Sequence, residues 1–166
     1  MKKATLILLF AVLLLAACDP AHTSEFAIDN RTDHALTIQS LQPVDTVRSH
    51  YAMLHPLSAP AHTDSVVDVS GGIGTADLGE FAYLIPDRFY GDSVQIRFDD
   101  GRILKFYRDS VGADALYRIN DANAPASLYR YEGRPNPSGP FKGYMGYGKL
   151  TLVVTDSLYN LSSPRL

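Results

Sequence analysis

The chain has 166 residues, an apolar fraction of 46% and a net charge of −3. These values are typical of one globular domain, and the acidic balance gives no basic stripe for nucleic acid. A single cysteine excludes a disulfide within the chain, so the core must supply the stability. The composition has many Tyr, Phe, Gly and Pro residues and no Trp, which favours short strands over helices.

The N-terminal segment MKKATLILLFAVLLLAAC has the three parts of a secretory signal. Lys2 and Lys3 form a basic start, residues 4–17 carry no charge, and small residues precede the thiol of Cys18. The apolar run is shorter than the ~20 residues that a bilayer-spanning helix needs. Its Leu-Ala-Ala-Cys ending resembles the bacterial lipoprotein box, which implies cleavage before Cys18 and lipidation of its sulfur. An ordinary cleaved signal that happens to end at a cysteine is the alternative.

Three segments follow from this interpretation. Residues 1–17 are the signal peptide, residues 18–23 are the lipidated cysteine with a tether, and residues 24–166 are the folded domain. Cleavage leaves 149 residues and removes two lysines, so the net charge changes from −3 to −5. We expect the protein to be anchored to the outer membrane of a bacterial envelope through lipid on Cys18, on either the periplasmic or the outer face. We expect no cofactor and no nucleic acid.

Alternation of apolar and polar residues predicts strands in the first half of the chain. The sequence EFAIDN at residues 25–30 places Phe26 and Ile28 on one face, and ALTIQSL at residues 35–41 places Leu36 and Ile38 on one face. Further strands are predicted at residues 64–70 and 80–85, joined by a glycine-rich connection.

A hairpin is predicted where residues 93–98 and 102–107 flank Asp99-Asp100-Gly101. A two-residue turn and a three-residue loop are both compatible with this spacing, and they differ by one residue in register. A one-residue slip moves a whole set of side chains to the other face. We predict the three-residue loop, because it leaves Arg97 and Lys105 outside and places these apolar residues on one face: Val94, Ile96, Phe98, Leu104 and Phe106.

In the last third, strands are predicted at residues 128–132 and 149–156, the latter with its apolar side chains inward: Leu150, Leu152 and Val154. Residues 116–119 are predicted as a short strand or edge segment, and residues 159–166 as a tail. The regular succession of short strands predicts an all-β fold, a single antiparallel β-sandwich of immunoglobulin-like type.

Two segments, Phe26-x-Ile28-x-Asn30-x-Thr32-x-His34-x-Leu36-Thr37-Ile38 and Asp92-Ser93-Val94-x-Ile96-x-Phe98-Asp99-Asp100-Gly101-Arg102, resemble small uncharacterised lipoproteins of the Bacteroidota cell envelope. The resemblance implies an envelope location and a sandwich fold, and it implies no enzymatic role. A long segment at residues 133–148 departs from the expected pattern.

Five triplets have the form Asp-(Ser/Thr)-aliphatic, against ~0.8 expected by chance from the residue usage. Through the same resemblance they look like O-glycosylation sites of those bacteria. The alternative is structural, because Asp and Ser favour turns and β-branched residues favour the strands that follow. Either way we expect exposed hydroxyls. The candidate acceptors are Thr46, Ser65, Ser93, Ser110 and Ser157.

The segment GRPNPSGPFKGYMGYG at residues 133–148 is the strongest candidate for recognition, since long loops are often functional and tyrosine combines an apolar ring with a polar tip. We predict contacts to a protein or glycan partner through Phe141, Tyr144 and Tyr147. The alternative is that these aromatic side chains fold back onto the domain and pack.

The function predicted from the sequence is that of a non-catalytic binding or structural module held at the membrane. No catalytic residues are assigned, and no metal site is assigned either. Two alternatives stay open. One is a small metal-assisted enzyme that uses His50, His55 and His62, and the other is an accessory subunit of an envelope complex.

Overall fold

The computed structural model describes residues 21–41, 56–73, 75–108, 115–136 and 142–164. Several residues singled out above lie outside these ranges: Cys18, Thr46, His50, His55, Ser110 and Phe141. Within the described ranges, no helix has the length and apolar character needed to cross a membrane.

Eight strands and two α-helices make up the described part of the chain. The strands are β1 (Ala21–Asn30), β2 (Leu36–Ser40), β3 (Leu57–Ala59), β4 (Thr63–Ile73), β5 (Ser93–Phe98), β6 (Ile103–Tyr107), β7 (Tyr129–Pro135) and β8 (Met145–Val154). The helices are α1 (Leu78–Ile85) and α2 (Asp156–Asn160). Helix α1 continues into a π-helical turn (Pro86–Tyr90), and a short 3-10 helix spans Ile119–Asp121. The mostly β character predicted from the sequence is confirmed.

The strands form two four-stranded sheets, ordered β4-β1-β8-β7 and β3-β2-β5-β6. All pairings are antiparallel except that of β1 with β8, in which Thr23 lies opposite Tyr147 and Asn30 opposite Val154. The predicted purely antiparallel arrangement is therefore wrong for this pair. Alternating side chains report which face of a strand is buried, and they carry no information on the direction of its neighbour.

The predicted inward faces are confirmed in three strands. Phe26 and Ile28 of β1 and Leu36 and Ile38 of β2 are at most 2% exposed, as are all three predicted residues of β8. One buried apolar cluster takes side chains from both sheets and from α1. Burial of each such side chain stabilises the fold by about 1.5–3 kcal/mol.

The three-residue hairpin loop is confirmed between β5 and β6. Val94 lies opposite Phe106 and Ile96 opposite Leu104, and Arg97 and Lys105 are exposed on the outer face. Gly101 adopts φ +87°, a left-handed conformation that glycine takes without a Cβ penalty.

The predicted strand at residues 80–85 is wrong, because this segment is helix α1. The Asp77 carboxylate accepts a hydrogen bond of 3.0 Å from the backbone N–H of Glu80 and so caps the first turn. Phe81 and Ile85, four residues apart, are both buried. This spacing fits one face of a helix as well as an alternating strand, so the cap decides between the two.

Two further expectations about local structure are corrected. Residues 116–119 form a turn and the start of the 3-10 helix rather than a strand, and their apolar side chains Leu116 and Ile119 are fully buried. The predicted C-terminal tail contributes Tyr159 to helix α2, and beyond it Ser163 exchanges two backbone hydrogen bonds with Ile103 of β6, at 2.9 and 3.0 Å. These bonds order the segment because they extend the edge of the second sheet.

The strands are also longer than predicted at one end of the first sheet. Strand β1 begins at Ala21, so residues 21–23 of the predicted tether belong to the sheet. Strand β7 continues to Pro135 and β8 begins at Met145, so much of the predicted loop at 133–148 is an extended hairpin. At Gly148 a Cβ atom would clash with the carbonyl oxygen of Ala76, which explains why this strand position needs glycine.

Candidate functional site

A cluster of polar and aromatic side chains lies at the end of the domain that carries the β1–β2 loop and the β5–β6 turn. His34 comes from the β1–β2 loop, Asp99 and Asp100 from the β5–β6 turn, and Tyr159 from helix α2. We call these four residues the His34 cluster. Strand β1 spans about 30 Å at ~3.3 Å per residue, so the cluster lies far from the N-terminal end of the sheet.

Backbone pairing holds His34 against Asp99. The N–H of Asp99 donates to the carbonyl of Ala35 at 2.9 Å, and the N–H of Ala35 donates to Asp99 Oδ2 at 3.1 Å. The other carboxylate oxygen, Oδ1, is 2.9 Å from His34 Nδ1. Each oxygen of Asp99 therefore has its own partner, and the imidazole has a fixed orientation.

Tyr159 covers the other side of the imidazole. Its ring stacks on His34 with centroids 4.6 Å apart and meets Phe98 edge to face at 4.9 Å. Its hydroxyl donates to Asp100 Oδ2 at 2.6 Å, and the guanidinium of Arg102 lies 5.0 Å from its ring centroid. The tyrosine thus connects the buried core to an exposed acidic turn.

Hydrogen bonds hold both carboxylates in the ionised form. The bond with His34, followed by that from the Ala35 N–H, lowers the pKa of Asp99 below its usual value. The bond from the Tyr159 hydroxyl lowers the pKa of Asp100, with the N–H of Arg102 as the second cause. The bond to Asp100 in turn raises the pKa of Tyr159. The turn therefore presents two carboxylates beside one imidazole at neutral pH.

The His34 cluster contains the residue types that bind a divalent cation. One donor atom each from His34, Asp99 and Asp100 lies within 4.8 Å of the others. Nitrogen and carboxylate oxygen suit zinc or manganese. A cation would, however, have to replace the His34–Asp99 hydrogen bond, and both carboxylates are exposed. No sequence pattern indicates this cluster, because Asp99 and Asp100 have the pattern of turn residues, which they also are.

We expect Asp99→Asn to flatten the acid dependence of stability. A lowered folded-state pKa means that the carboxylate stabilises the fold above its unfolded value of 3.8, and this contribution is lost as the pH falls through the lower folded value. Urea unfolding between neutral pH and pH ~2 measures this slope. Asp121→Asn removes an exposed carboxylate elsewhere and serves as the control. Equal slopes for both variants would contradict the role of the His34 bond.

Of the three histidines in the metal-enzyme hypothesis, the structure describes His62 alone. Its Nε2 is 2.7 Å from Asp33 Oδ1, and both side chains are mostly in solvent. His62 has φ +53° in the turn before β4. The convergence of His50, His55 and His62 is a prediction that lies largely outside the described residues.

The candidate glycosylation sites differ in exposure. Ser157 is exposed on α2, and Ser65 is half-buried in β4, where its hydroxyl donates to Thr63 Oγ1 at 3.3 Å. Ser93 is only 4% exposed, so the expectation of an exposed hydroxyl is wrong at this position. It begins a central strand, β5, which is covered on both edges by β2 and β6. Modification of any of these residues stays a prediction.

The two described aromatic residues of the predicted recognition loop have different surroundings. Tyr144 is 53% exposed. Tyr147 is half-buried in β8, its hydroxyl donates to Glu25 Oε2 at 2.8 Å, and the guanidinium of Arg134 lies 5.3 Å from its ring centroid. Tyr147 is thus partly a packing residue, as the alternative interpretation proposed, and Tyr144 presents more of its surface.

A second polar group lies at the N-terminal end of β1. His22, expected to be part of a solvated tether, is only 8% exposed. Its Nε2 is 2.8 Å from Glu80 Oε1 of helix α1, and Ser24 Oγ donates to Glu80 Oε2 at 3.4 Å. The Nδ1 atom of His22 is buried and has no hydrogen-bond partner. A position between Cys18 and the first predicted strand implies a tether, and pairing with Glu80 is what allows burial.

Comparison of this chain with protein-family models, with curated proteins and with solved structures finds no match. The interpretation of its function therefore rests on its own residues and geometry.

Proposed function

We propose that this chain is a lipid-anchored protein of the bacterial cell envelope that serves as a non-catalytic binding or structural module. Its location in the outer membrane and its candidate O-glycosylation belong to the same proposal. The single observation that carries it is the Leu-Ala-Ala-Cys sequence ending at Cys18, three residues before a central strand.

The position of β1 in the sheet suits an anchor point. The strand is paired on both sides, with β4 through residues 21–30 and with β8 through residues 23–30. Three extended residues span at most about 11 Å. Lipid on Cys18 would therefore connect the membrane almost directly to a strand that is paired on both sides, with no long linker between them.

We further infer that the two sheets pack face to face as a β-sandwich of immunoglobulin-like type. The support is the single buried cluster, to which Phe26 and Leu152 of the first sheet and Ile38 and Ile96 of the second contribute. The chain also passes from the first sheet to the second directly after β1, as expected for two layers around one core.

In this proposal the loops at the far end of β1 are the part available to a partner. They carry the His34 cluster together with Asp33 and His62, and all of these charged or titratable groups lie at least partly in solvent. An oriented array of carboxylates and imidazoles suits a polar or cationic partner in the envelope.

Replacement of Cys18 by serine tests the anchor. Cys18→Ser removes the sulfur that accepts the lipid, so we expect radiolabelled fatty acid to be lost from the protein and the protein to leave the membrane fraction. Thr23→Ser, a conservative change at an exposed position of β1, is the matched control and is expected to keep both. Unaltered fractionation of Cys18→Ser would disprove the proposal, and proteolysis of intact cells distinguishes the two faces of the membrane.

A further inference from the structure

The end of the β7–β8 hairpin lies at the same end of the first sheet as the start of β1. Since β8 runs parallel to β1 with Tyr147 opposite Thr23, Met145 lies at the level of Ala21. Met145 also pairs with Pro135, and the N–H of Asn136 donates to the carbonyl of Tyr144 at 2.8 Å. We call the described residues 134–136 and 142–145 the hairpin tip.

The hairpin tip extends in the direction from which the chain enters β1. Tyr144 lies one residue beyond the level of Ala21, which is about 3.3 Å along the sheet. Cys18 lies at most about 11 Å from Ala21. If Cys18 carries lipid, as the proposed function requires, the membrane surface lies against this end of the domain and the hairpin tip faces it.

The chemistry of the hairpin tip suits a lipid headgroup layer. Tyr144 is 53% exposed, and tyrosine is enriched at membrane interfaces because its ring is apolar and its hydroxyl is polar. Arg134 and Lys142, which also belong to the hairpin tip, are exposed as well. Residues 133–148 contain these two basic residues and no acidic one, although the mature chain as a whole is acidic. Basic side chains near an anionic bilayer are attracted to it.

We propose that the hairpin tip is a second membrane contact, in which Tyr144 lies among the headgroups of an anionic bilayer and Arg134 and Lys142 pair with lipid phosphates. A lipid anchor alone leaves a domain free to tilt. Two contact points on one end fix its orientation and hold the His34 cluster about 30 Å away at the other end of β1. This assigns Tyr144 to lipid rather than to a protein or glycan partner.

A fluorescent probe tests the position of the tip in the full, lipidated chain. Cys18 is the natural cysteine and is blocked by lipid, so an introduced thiol labels selectively. An environment-sensitive fluorophore is placed at Tyr144→Cys, and at Ser157→Cys, an exposed position on α2. In phosphatidylcholine vesicles with phosphatidylglycerol we expect a blue shift of the probe at position 144 and an unshifted emission at position 157.

Charge reversal tests the role of the basic residues. With the probe in place, Arg134→Glu and Lys142→Glu together are expected to weaken the tip contact by at least about 30-fold, the factor for two basic side chains near an anionic surface. Arg97→Glu and Lys105→Glu make the same change in net charge on the exposed face of the β5–β6 hairpin and are expected to leave the shift unchanged. Urea unfolding verifies that both double variants fold.

The outcomes separate this proposal from the one on which it rests. If the lipidated protein floats with the vesicles and the probe at position 144 stays in water, the tip contact is disproved while the anchor stands, and the tip is left to a protein or glycan partner. If the blue shift is equal without phosphatidylglycerol, or survives charge reversal at the tip, the assigned role of Arg134 and Lys142 is overturned. A failure of the anchor itself appears in the Cys18→Ser fractionation.

Discussion

Asn30→Asp is expected to destabilise the protein by at least about 3 kcal/mol at neutral pH, which is the scale for a buried charge without compensation. Asn30 is fully buried at the end of β1. Its amide nitrogen donates to the carbonyls of His34 at 2.8 Å, Pro60 at 2.9 Å and Ala59 at 3.3 Å. The substitution would direct a carboxylate oxygen at three carbonyl oxygens, with no donor between them.

The same side chain explains why this position determines the shape of the far end of the domain. The amide oxygen of Asn30 accepts from the N–H and the hydroxyl of Thr32, at 3.2 and 2.9 Å. One buried asparagine therefore joins the β1–β2 loop, which carries His34, to the end of β3 and the turn that follows it. We expect its loss to disorder both loops and, with them, the His34 cluster.

The pH dependence of the variant follows from the sign of its expected pKa shift. Burial and the three carbonyls would raise the pKa of the new carboxyl group. A raised folded-state pKa contributes stability at low pH that is lost as the pH rises, so the difference from the natural protein should be smallest in acid. Urea unfolding at several pH values measures it.

Asn123→Asp is the matched control for Asn30→Asp. Asn123 is exposed, donates to the carbonyl of Tyr131 at 3.1 Å and accepts from its N–H at 2.9 Å. Because water can replace the lost donor there, we expect a cost of no more than about 1 kcal/mol. Similar costs at the two positions would show that Asn30 is not the buried junction described.

The faces of the strands could be predicted from the sequence because a half-buried strand alternates. Phe26 with Ile28 and Leu36 with Ile38 follow this period, and burial of one face leaves no other register. The β5–β6 loop was equally readable, since Gly101 supplies the left-handed residue that a three-residue loop needs.

Helix α1 could not be separated from a strand by periodicity alone. Phe81 and Ile85 fit both patterns, and the decisive signal was local: Asp77 stands three residues before Glu80, the spacing of an N-terminal cap. The parallel pairing of β1 with β8 left no comparable signal, because it depends on where a long connection returns.

The candidate site was hidden for a different reason. The His34 cluster joins residues 34, 99, 100 and 159, which come from three separate parts of the chain, and no spacing rule relates them. The burial of His22 was equally unreadable, since it depends on Glu80, 58 residues away. Polar residues at strand ends predict where the loops are, but they do not predict which loops contact each other.

Different groups of residues lie at the two ends of β1. His22 and the hairpin tip lie at the end that the anchor would hold, and Asn30 and the His34 cluster lie at the other end. A module that is fixed at one end and presents ordered polar loops at the other can contact a partner only at a set distance from the membrane. In the proposed function, stability at the far end is therefore a condition of binding, although no residue there would touch the lipid.

Two buried tyrosines, Tyr90 and Tyr129, form hydrogen bonds inside the core. The hydroxyl of Tyr129 donates to the carbonyl of Leu116 at 2.6 Å. Its oxygen lies 2.9 Å from the hydroxyl of Tyr90, and since the Tyr129 proton is already used, Tyr90 is the donor of this second bond. Both side chains are at most 1% exposed.

Burial also raises the pKa of both tyrosines. A tyrosine with a raised folded-state pKa stabilises the fold fully below its unfolded value near 10, and this contribution is lost as the pH rises above that value. Part of the alkaline unfolding of the protein should therefore come from this pair, and its removal should flatten the dependence of stability on pH above about 10.

Tyr129→Phe is expected to cost about 2–6 kcal/mol, because it leaves two buried groups, the Leu116 carbonyl and the Tyr90 hydroxyl, without partners at about 1–3 kcal/mol each. Tyr90→Phe keeps the bond from the Tyr129 hydroxyl to the Leu116 carbonyl and should cost about 1 kcal/mol. In the double variant, the Leu116 carbonyl is the one group of the three that is left without a partner. Adding Tyr90→Phe to Tyr129→Phe should therefore cost nothing or restore stability. A double-mutant cycle by urea unfolding measures this coupling. Additive costs would mean that the hydroxyls do not form one chain of hydrogen bonds.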